Sequence, residues 1–256
     1  MKIIAVTQAR FGSSRLPGKV LKKIKGKTLL EIHLNRALGS KCIDGLIVAT
    51  TLEPEAKKIC AIAASCGADF YRGSMNDVLD RFYQAVKDKN PDYVVRITSD
   101  CPLIDPELMD EMIRYTIKNK LDYCSNGQSG TFPDGTDVEV FTFKALKTAW
   151  QKAKLTSERE HVTPFIWKNS TMKKRTMFKA RHFKYKKDYG KIRLTVDEPA
   201  DFTLLEKLIG KLGSRESWVE YSDYIIQHPK LMAINSTITP NEGYIKSIKN
   251  DSIKTT

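Results

Sequence analysis

The feature that most constrains this chain is a pattern repeated through its first half: a short apolar run, a few turn residues, then an amphipathic stretch. Residues 2–7 carry the Ile-Ile-Ala-Val run of a buried strand, and residues 28–38 place Leu30, Leu34, Ala37 and Leu38 on one helical face. Residues 45–51 repeat the strand signal, and Pro54 opens a helix to about Cys66 from the first-turn position that proline favours. A short strand at 68–71, a helix at 77–87, a strand at 92–98 and a helix at 106–118 continue the series. Strands alternating with helices of this length require right-handed crossovers, so the expected fold is α/β, with a mostly parallel sheet sandwiched by helices. Ligands of such sheets bind at the carboxyl ends of the strands.

After Tyr123 the pattern changes. Residues 126–135 form a loop rich in glycine and proline, 138–143 a strand, and 145–168 a helical stretch interrupted at Pro164. A basic segment mixing aromatics and lysines follows to about Lys191, then a strand at 192–196 and a helix at 198–212 restore the earlier style. At 256 residues the chain is too short for two full-size domains. It is therefore expected to be a single domain over 1–232, with an inserted lobe at about 126–190, the sheet's final strand at 192–196, and a loosely held polar tail over 233–256.

Composition narrows the function classes. With 41% hydrophobic and 29% charged residues the chain can bury a core, and no apolar run approaches the roughly 20 residues needed to span a bilayer. A cytoplasmic protein is expected, with no membrane partner. The five cysteines include no Cys-x-x-Cys pair, which argues against a disulfide framework or structural zinc. Glu158-x-x-His161 has the spacing of half a di-iron site, but the second copy is missing. The net charge of +13 is localised: residues 1–30 hold eight Lys/Arg and no acid, and residues 168–193 hold eleven against Asp188 alone. Such surfaces attract polyanions, from nucleic acid to the phosphates of small nucleotides.

The strongest local signal is the loop VTQARFGSSRLPGK over residues 6–19, which directly follows the first strand. Small residues let backbone N–H groups approach phosphate oxygens, and Arg10, Arg15 and Lys19 supply charge to neutralise a triphosphate. Gly26-Lys27-Thr28 resembles the end of a P-loop, but Leu21 stands where that pattern needs glycine. RITSDCPLID, residues 96–105, delivers Asp100 to the same sheet edge as a hard oxygen ligand for Mg²⁺. Asp197 in RLTVDEPADF, residues 193–202, lies at the end of another expected strand, where it is equally suited to cap the following helix.

Together these three segments resemble the cytidylyltransferases that make CMP-activated sugar acids, the group of the acylneuraminate and KDO (3-deoxy-manno-octulosonate) enzymes. The SpsF-like branch, of spore-coat polysaccharide type, is the most similar, because RGSMNDVLDRF, DGTDVEVF and SEREHVTPF also match its segments in family order. The resemblance implies a nucleotide-sugar-transferase (GT-A-like) fold with CTP and Mg²⁺ as nucleotide and cofactor. It makes Arg15 and Lys19 triphosphate contacts, with Gln8, Ala9, Arg10, Gly12 and Ser13 shaping the nucleotide loop. Asp100 and Asp197 become the metal ligands. Arg72, Gly73, Ser74 and Asp77 fall where the family closes over the base or ribose, and Asp137 and Glu139 fall in the acceptor-sugar region. Ser99 stands where many relatives carry glycine before the metal-binding aspartate.

The implied reaction is attack of an acceptor oxygen on the α-phosphate of CTP with release of pyrophosphate, activating an acidic sugar for cell-surface polysaccharide synthesis. Catalytic weight would rest on Arg15, Lys19 and Asp100. A metal-dependent glycosyltransferase would share the sheet, but its Asp-x-Asp motif is replaced by Asp100-x4-Asp105. A nucleic-acid-binding protein would explain the charge, yet no helix-turn-helix, zinc-finger or RNP-like motif is present, so no nucleic-acid partner is expected. Finally, the resemblance implies a homodimer. Phe141, Phe143, Trp150, Phe165, Ile166 and Trp167 concentrate more apolar surface than a small lobe would bury alone, which supports that expectation.

Overall fold

The computed structural model describes residues 1–13, 15–127, 129–239 and 242–254; Ser14 of the nucleotide loop and Pro240 of the expected tail lie outside the described residues. Its strands are β1 (Ile3–Gln8), β2 (Lys23–Ile24), β3 (Lys27–Thr28), β4 (Gly45–Thr51), β5 (Asp69–Gly73), β6 (Tyr93–Thr98), β7 (Tyr123–Ser125), β8 (Glu139–Thr142) and β9 (Ala180–His182). Seven of them form one sheet in the order β5-β4-β1-β6-β8-β7-β9, and β2 and β3 make a small hairpin. β5, β4, β1 and β6 run parallel, β8 is antiparallel to both its neighbours, and β9 is parallel to β7. The mostly parallel sheet expected from the alternating pattern is therefore present.

Helices α1 (Leu29–Ala37), α2 (Ala56–Ser65), α3 (Val78–Val86) and α4 (Pro106–Lys118) follow the strands in turn. Their starts are set locally. Thr28 and Glu31 form a capping box at α1, Asp77 accepts from the Asp80 N–H at α3, and Asp105 accepts from Glu107 and Leu108 at α4, where Pro106 takes the first turn. Successive residues of β1 face opposite cores: Ile3 and Ala5 join one apolar cluster with α1, α2 and α4, while Ile4 and Val6 join a second with α3. After β5 the chain crosses to the far side of β1 to form β6, so the strand order reverses between β1 and β6. Such a reversal opens a crevice at the carboxyl ends of the two strands.

The second half departs from expectation in four places. The 126–190 segment is not a separate lobe, because it contributes β8 beside β6 and β9 at the sheet's far edge. The helical stretch at 145–168 is three helices, α5 (Phe143–Lys152), α6 (Thr156–His161) and α7 (Pro164–Lys168). Residues 192–196 form no strand; their apolar side chains are buried while their backbone binds loops, with Leu194 N–H donating to the Asp134 carbonyl at 2.6 Å and Val196 N–H to that of Asp100 at 2.7 Å. Gly135 permits this crossing, since its φ is +105° and a Cβ there would lie 2.3 Å from the Thr195 nitrogen. Beyond α8 (Pro199–Leu212), α9 (Trp218–Gln227) and α10 (Pro229–Met232), the expected loose tail contains α11 (Glu242–Lys254). That helix lies on α6: the Ser157 N–H donates to Asp251 at 2.9 Å and the Ser247 hydroxyl to Glu160 at 2.6 Å.

The aromatic surplus also has another explanation. Phe141 and Ile166 are fully buried, and Phe143, Trp150, Phe165 and Trp167 pack partly buried around the second core. They cover the sheet face beneath α3, and the apolar argument for a second copy disappears with them.

Candidate functional site

The crevice between β1 and β6 is lined by residues that the sequence scatters widely. Lys19 starts a short 3-10 turn that follows the loop after β1, and its ammonium donates to Asp197 Oδ1 at 2.8 Å, the Val196 carbonyl at 2.9 Å and Asp100 Oδ2 at 3.3 Å. Those two carboxylate oxygens thus lie no more than about 6 Å apart, within the reach of one hydrated divalent ion. Burial alone would pull the Lys19 ammonium down; Asp100 and Asp197 outweigh it and hold the group protonated above the ordinary lysine range. Burial likewise pushes the Asp100 carboxyl up, but Lys19 and the Thr98 hydroxyl more than offset it and hold it at about 2. Arg15 reaches the same cluster, 3.1 Å from Asp197, 3.7 Å from Glu198 and 3.4 Å from Glu242 of α11.

Asp197 is not the helix cap. Asp201 accepts from the backbone N–H groups of Asp197 and Glu198 at 2.9 and 3.0 Å, which leaves the Asp197 carboxylate to the cations. Arg193, itself buried, organises the acids from behind through Asp134, Asp201 and Asp197. Neither Asp134 nor Arg193 was singled out from sequence, although both stand in the quoted segments. Asp137 lies beside them and accepts from the Gly135 N–H at 3.2 Å. Gly127 makes room for it, since a Cβ there would come 2.2 Å from the Asp137 carboxylate. Burial first, and then the charge of Asp134, raise the Asp137 carboxyl to about 7.

A model of the cytidylyltransferase family matches residues 4–228. The chain belongs to that family. Among its relatives are an uncharacterized protein of Methanocaldococcus jannaschii, 42% identical over 93% of this chain and 96% of its own length, and the spore coat polysaccharide biosynthesis protein SpsF of Bacillus subtilis, 31% identical over 83% and 88%. A solved cytidylyltransferase from Leptospira borgpetersenii superimposes with a TM-score of 0.86 at 35% identity, covering 93% of this chain and 99% of that one. CMP:2-keto-3-deoxy-manno-octonic acid synthetase complexed with CTP superimposes at 0.62 with 18% identity over 82% of this chain and 99% of its own, which shows a shared fold. This cytidylyltransferase is accordingly a nucleotidyltransferase of SpsF-like type.

Within the cytidylyltransferase fold the other expected site residues divide. Gln8 ends β1 and Ala9 follows it, the Ser13 hydroxyl accepts from the Leu16 N–H at 3.3 Å, and Gly12 is exposed with open space where a side chain would stand. Arg10 is exposed at the crevice. By contrast, Arg72 donates to the Thr51, Leu52 and Glu53 carbonyls, and Ser74 accepts from the Asp77 N–H. Asp77 caps α3 and holds the Arg159 guanidinium at 2.5 Å. Glu139, expected near the acceptor, is buried and saturated by Arg96, the Tyr123 hydroxyl at 2.5 Å and the Thr163 hydroxyl at 2.6 Å. A surface depression of about 880 Å³, lined by Phe70, Tyr71 and Lys89 among others, lies along β5 and includes none of the crevice residues. No helix among the described residues is long and apolar enough to cross a membrane.

Proposed function

We propose that this cytidylyltransferase transfers CMP from CTP to an oxygen of an acidic sugar, in the manner its SpsF relative and the CMP:2-keto-3-deoxy-manno-octonic acid synthetase suggest, as a step toward cell-surface polysaccharide. The observation that carries the reading is the convergence of Asp100 and Asp197 on Lys19 at the reversal of the sheet. Asp100 and Asp197 fit a divalent ion, Mg²⁺ by preference, because two hard oxygens that remain partly exposed suit an ion that keeps most of its waters. Such an ion would supply charge neutralisation at the α-phosphate and at the departing pyrophosphate.

The chain's own residues do the rest. Lys19 and Arg15 pair with the carboxylates; when those oxygens turn to a cation, the ammonium and guanidinium are freed for the triphosphate. A bond then forms between the acceptor oxygen and the α-phosphorus while the bond to the β-phosphate oxygen breaks, its electron pair leaving with pyrophosphate. Asp137, whose carboxyl sits near 7, is suited to take the proton of the acceptor hydroxyl. Catalysis of this kind needs positioned charge rather than a covalent nucleophile. Pyrophosphate release measured with CTP, ATP, GTP and UTP across a panel of sugar acids and sugar phosphates tests the reading. Release is expected with CTP and a sugar acid; release only with another nucleotide would overturn it.

A further inference from the structure

The basic segment at 168–193 lies along one margin of the sheet. β9 is the outermost strand, three strand spacings of about 4.8 Å beyond β6, so this margin is separate from the crevice. A short 3-10 turn, Thr171–Lys173, docks on it: the Thr171 hydroxyl donates to the Ala180 carbonyl and accepts from the Ala180 N–H, both at 2.9 Å. With backbone groups of the edge strand answered in this way, the margin meets its surroundings mainly through side chains.

The aromatic and basic side chains of the segment face opposite ways. Phe178 and Tyr189 are buried, and Phe183 and Tyr185 pack against the first core around Phe132 and Trp218. The cations turn outward. Of the eleven Lys and Arg side chains in the segment, only Lys187, 2.8 Å from Asp223, and the buried Arg193 pair with acids among the described residues. Lys168 and Lys173 converge on the Trp167 ring, their ammonium groups 5.9 and 5.7 Å from its centroid. Lys179 and Arg181 converge on Asn119, donating to its carbonyl at 2.8 Å and its side-chain oxygen at 3.2 Å, which brings the exposed Lys118 and Lys120 beside them. Between the two groups the chain runs through Lys173, Lys174, Arg175, Thr176 and Met177, all exposed, with Met177 open by 48%.

We propose that this margin docks the protein on an anionic lipid surface. Each Lys or Arg held near such a surface adds about fivefold to partitioning, and here the cations are contiguous and unopposed. A polynucleotide would answer the same charge, but single strands are gripped by aromatic faces, and the aromatic rings of this segment are turned into the two cores. The apolar group left outside is Met177, an unbranched side chain suited to the boundary between headgroups and acyl chains. The contact is peripheral and needs no apolar span, so it fits a chain with no described helix long and apolar enough to cross a membrane. It does not depend on the reaction proposed above.

Cosedimentation of the full chain with large vesicles tests the proposal. The wild type is expected to sediment with phosphatidylcholine vesicles containing about one-third phosphatidylglycerol, to stay behind with phosphatidylcholine alone, and to be released in about 1 M salt, where the screening length falls to about 3 Å. Lys173→Glu/Lys174→Glu/Arg175→Glu should lower partitioning at least about a hundredfold with the urea midpoint unchanged. Met177→Ser, which leaves the charge intact, should lower it about three- to tenfold. Lys41→Glu/Lys57→Glu/Lys58→Glu makes the same change in net charge at exposed residues on the β4 and β5 side of the sheet, and should stay within about tenfold of wild type. Should the 173–175 variant fail to fold, Lys118→Glu/Lys120→Glu carries the same test with an expected loss of about tenfold or more. Wild type that does not sediment with the anionic vesicles, or that stays bound in about 1 M salt, overturns the proposal. So do equal losses in the two triple variants, and so does tighter binding to a duplex oligonucleotide than to the vesicles, which would assign the margin to nucleic acid.

Discussion

Lys19 between Asp100 and Asp197, and Arg96 against Glu139, are both ion-pair clusters near the carboxyl ends of the central strands, yet they are built to opposite purposes. In the first, Asp100 and Asp197 remain 31% and 22% exposed and share their cations. In the second, Glu139 is 10% exposed and its oxygens are taken by a guanidinium and two hydroxyls. On the proposed reading an ion or phosphate exchanges into the first cluster without stranding a charge, because Lys19 keeps the Val196 carbonyl and Arg15 keeps Glu198 and Glu242. Nothing can exchange into the second without taking Glu139 from the largely enclosed Arg96, which would keep only its 3.3 Å hydrogen bond to Gln8. A charge pair at a sheet edge therefore marks a ligand site only where its partners are incomplete.

The largest effect should come from the closed cluster. Glu139→Ala strands Arg96 and two buried hydroxyls, and urea denaturation should show a loss of about 3–5 kcal/mol. A loss below about 1 kcal/mol, with reduced affinity for a sugar-acid acceptor, would return Glu139 to the acceptor site where sequence placed it. Arg15→Ala tests the open cluster: kcat/KM for pyrophosphate release should fall by the equivalent of about 2–4 kcal/mol while thermal stability stays near wild type. Unchanged kinetics at limiting CTP would remove Arg15 from the site.

Asp137 gives a smaller and graded effect. Its folded carboxyl is near 7 against an ordinary aspartate value near 3.8, so between those values the folded state holds the extra proton. Raising the pH across that window must then reduce this carboxyl's contribution to stability, the reverse of the usual salt-bridged carboxylate. His33, pulled down to about 4 by burial, contributes the opposite slope, so the test is the difference between wild type and Asp137→Asn, which should fall from pH 4 to 7. A difference that stays flat or rises across that range would refute the raised carboxyl.

The contrast also explains what sequence could reveal. The range 45–51 and the helix 106–118 coincide with β4 and α4, because their signals are local: an unbroken apolar run in one, Asp105 and Pro106 at the helix start in the other. The expected strand at 192–196 failed for the opposite reason. Its alternating apolar residues are buried as a strand's would be, but the carbonyls that receive its N–H groups belong to Asp134 and Asp100, which no local pattern announces. Family order makes Asp100, Asp197, Lys19 and Arg15 candidates for one site, and the fold brings these four together. That Lys19 lies between the two acids, and that Arg193 supports them, depends on contacts spanning up to 178 positions. The acceptor assignment of Glu139 came from its place in a motif, and only the packing of Tyr123 and Thr163 around it shows that its oxygens are occupied.

The central claim is that Asp100 and Asp197 exchange their lysine for a divalent ion when nucleotide binds. Titration of Mn²⁺ in the presence of CTP, followed by electron paramagnetic resonance, measures that exchange without relying on turnover or on knowledge of the acceptor. Wild-type protein should bind the ion with CTP in about one-to-one ratio, and the Asp100→Asn/Asp197→Asn double variant, still folded by circular dichroism, should lose at least about a hundredfold in affinity. A folded double variant that binds Mn²⁺ and CTP as tightly as the wild type would contradict the account.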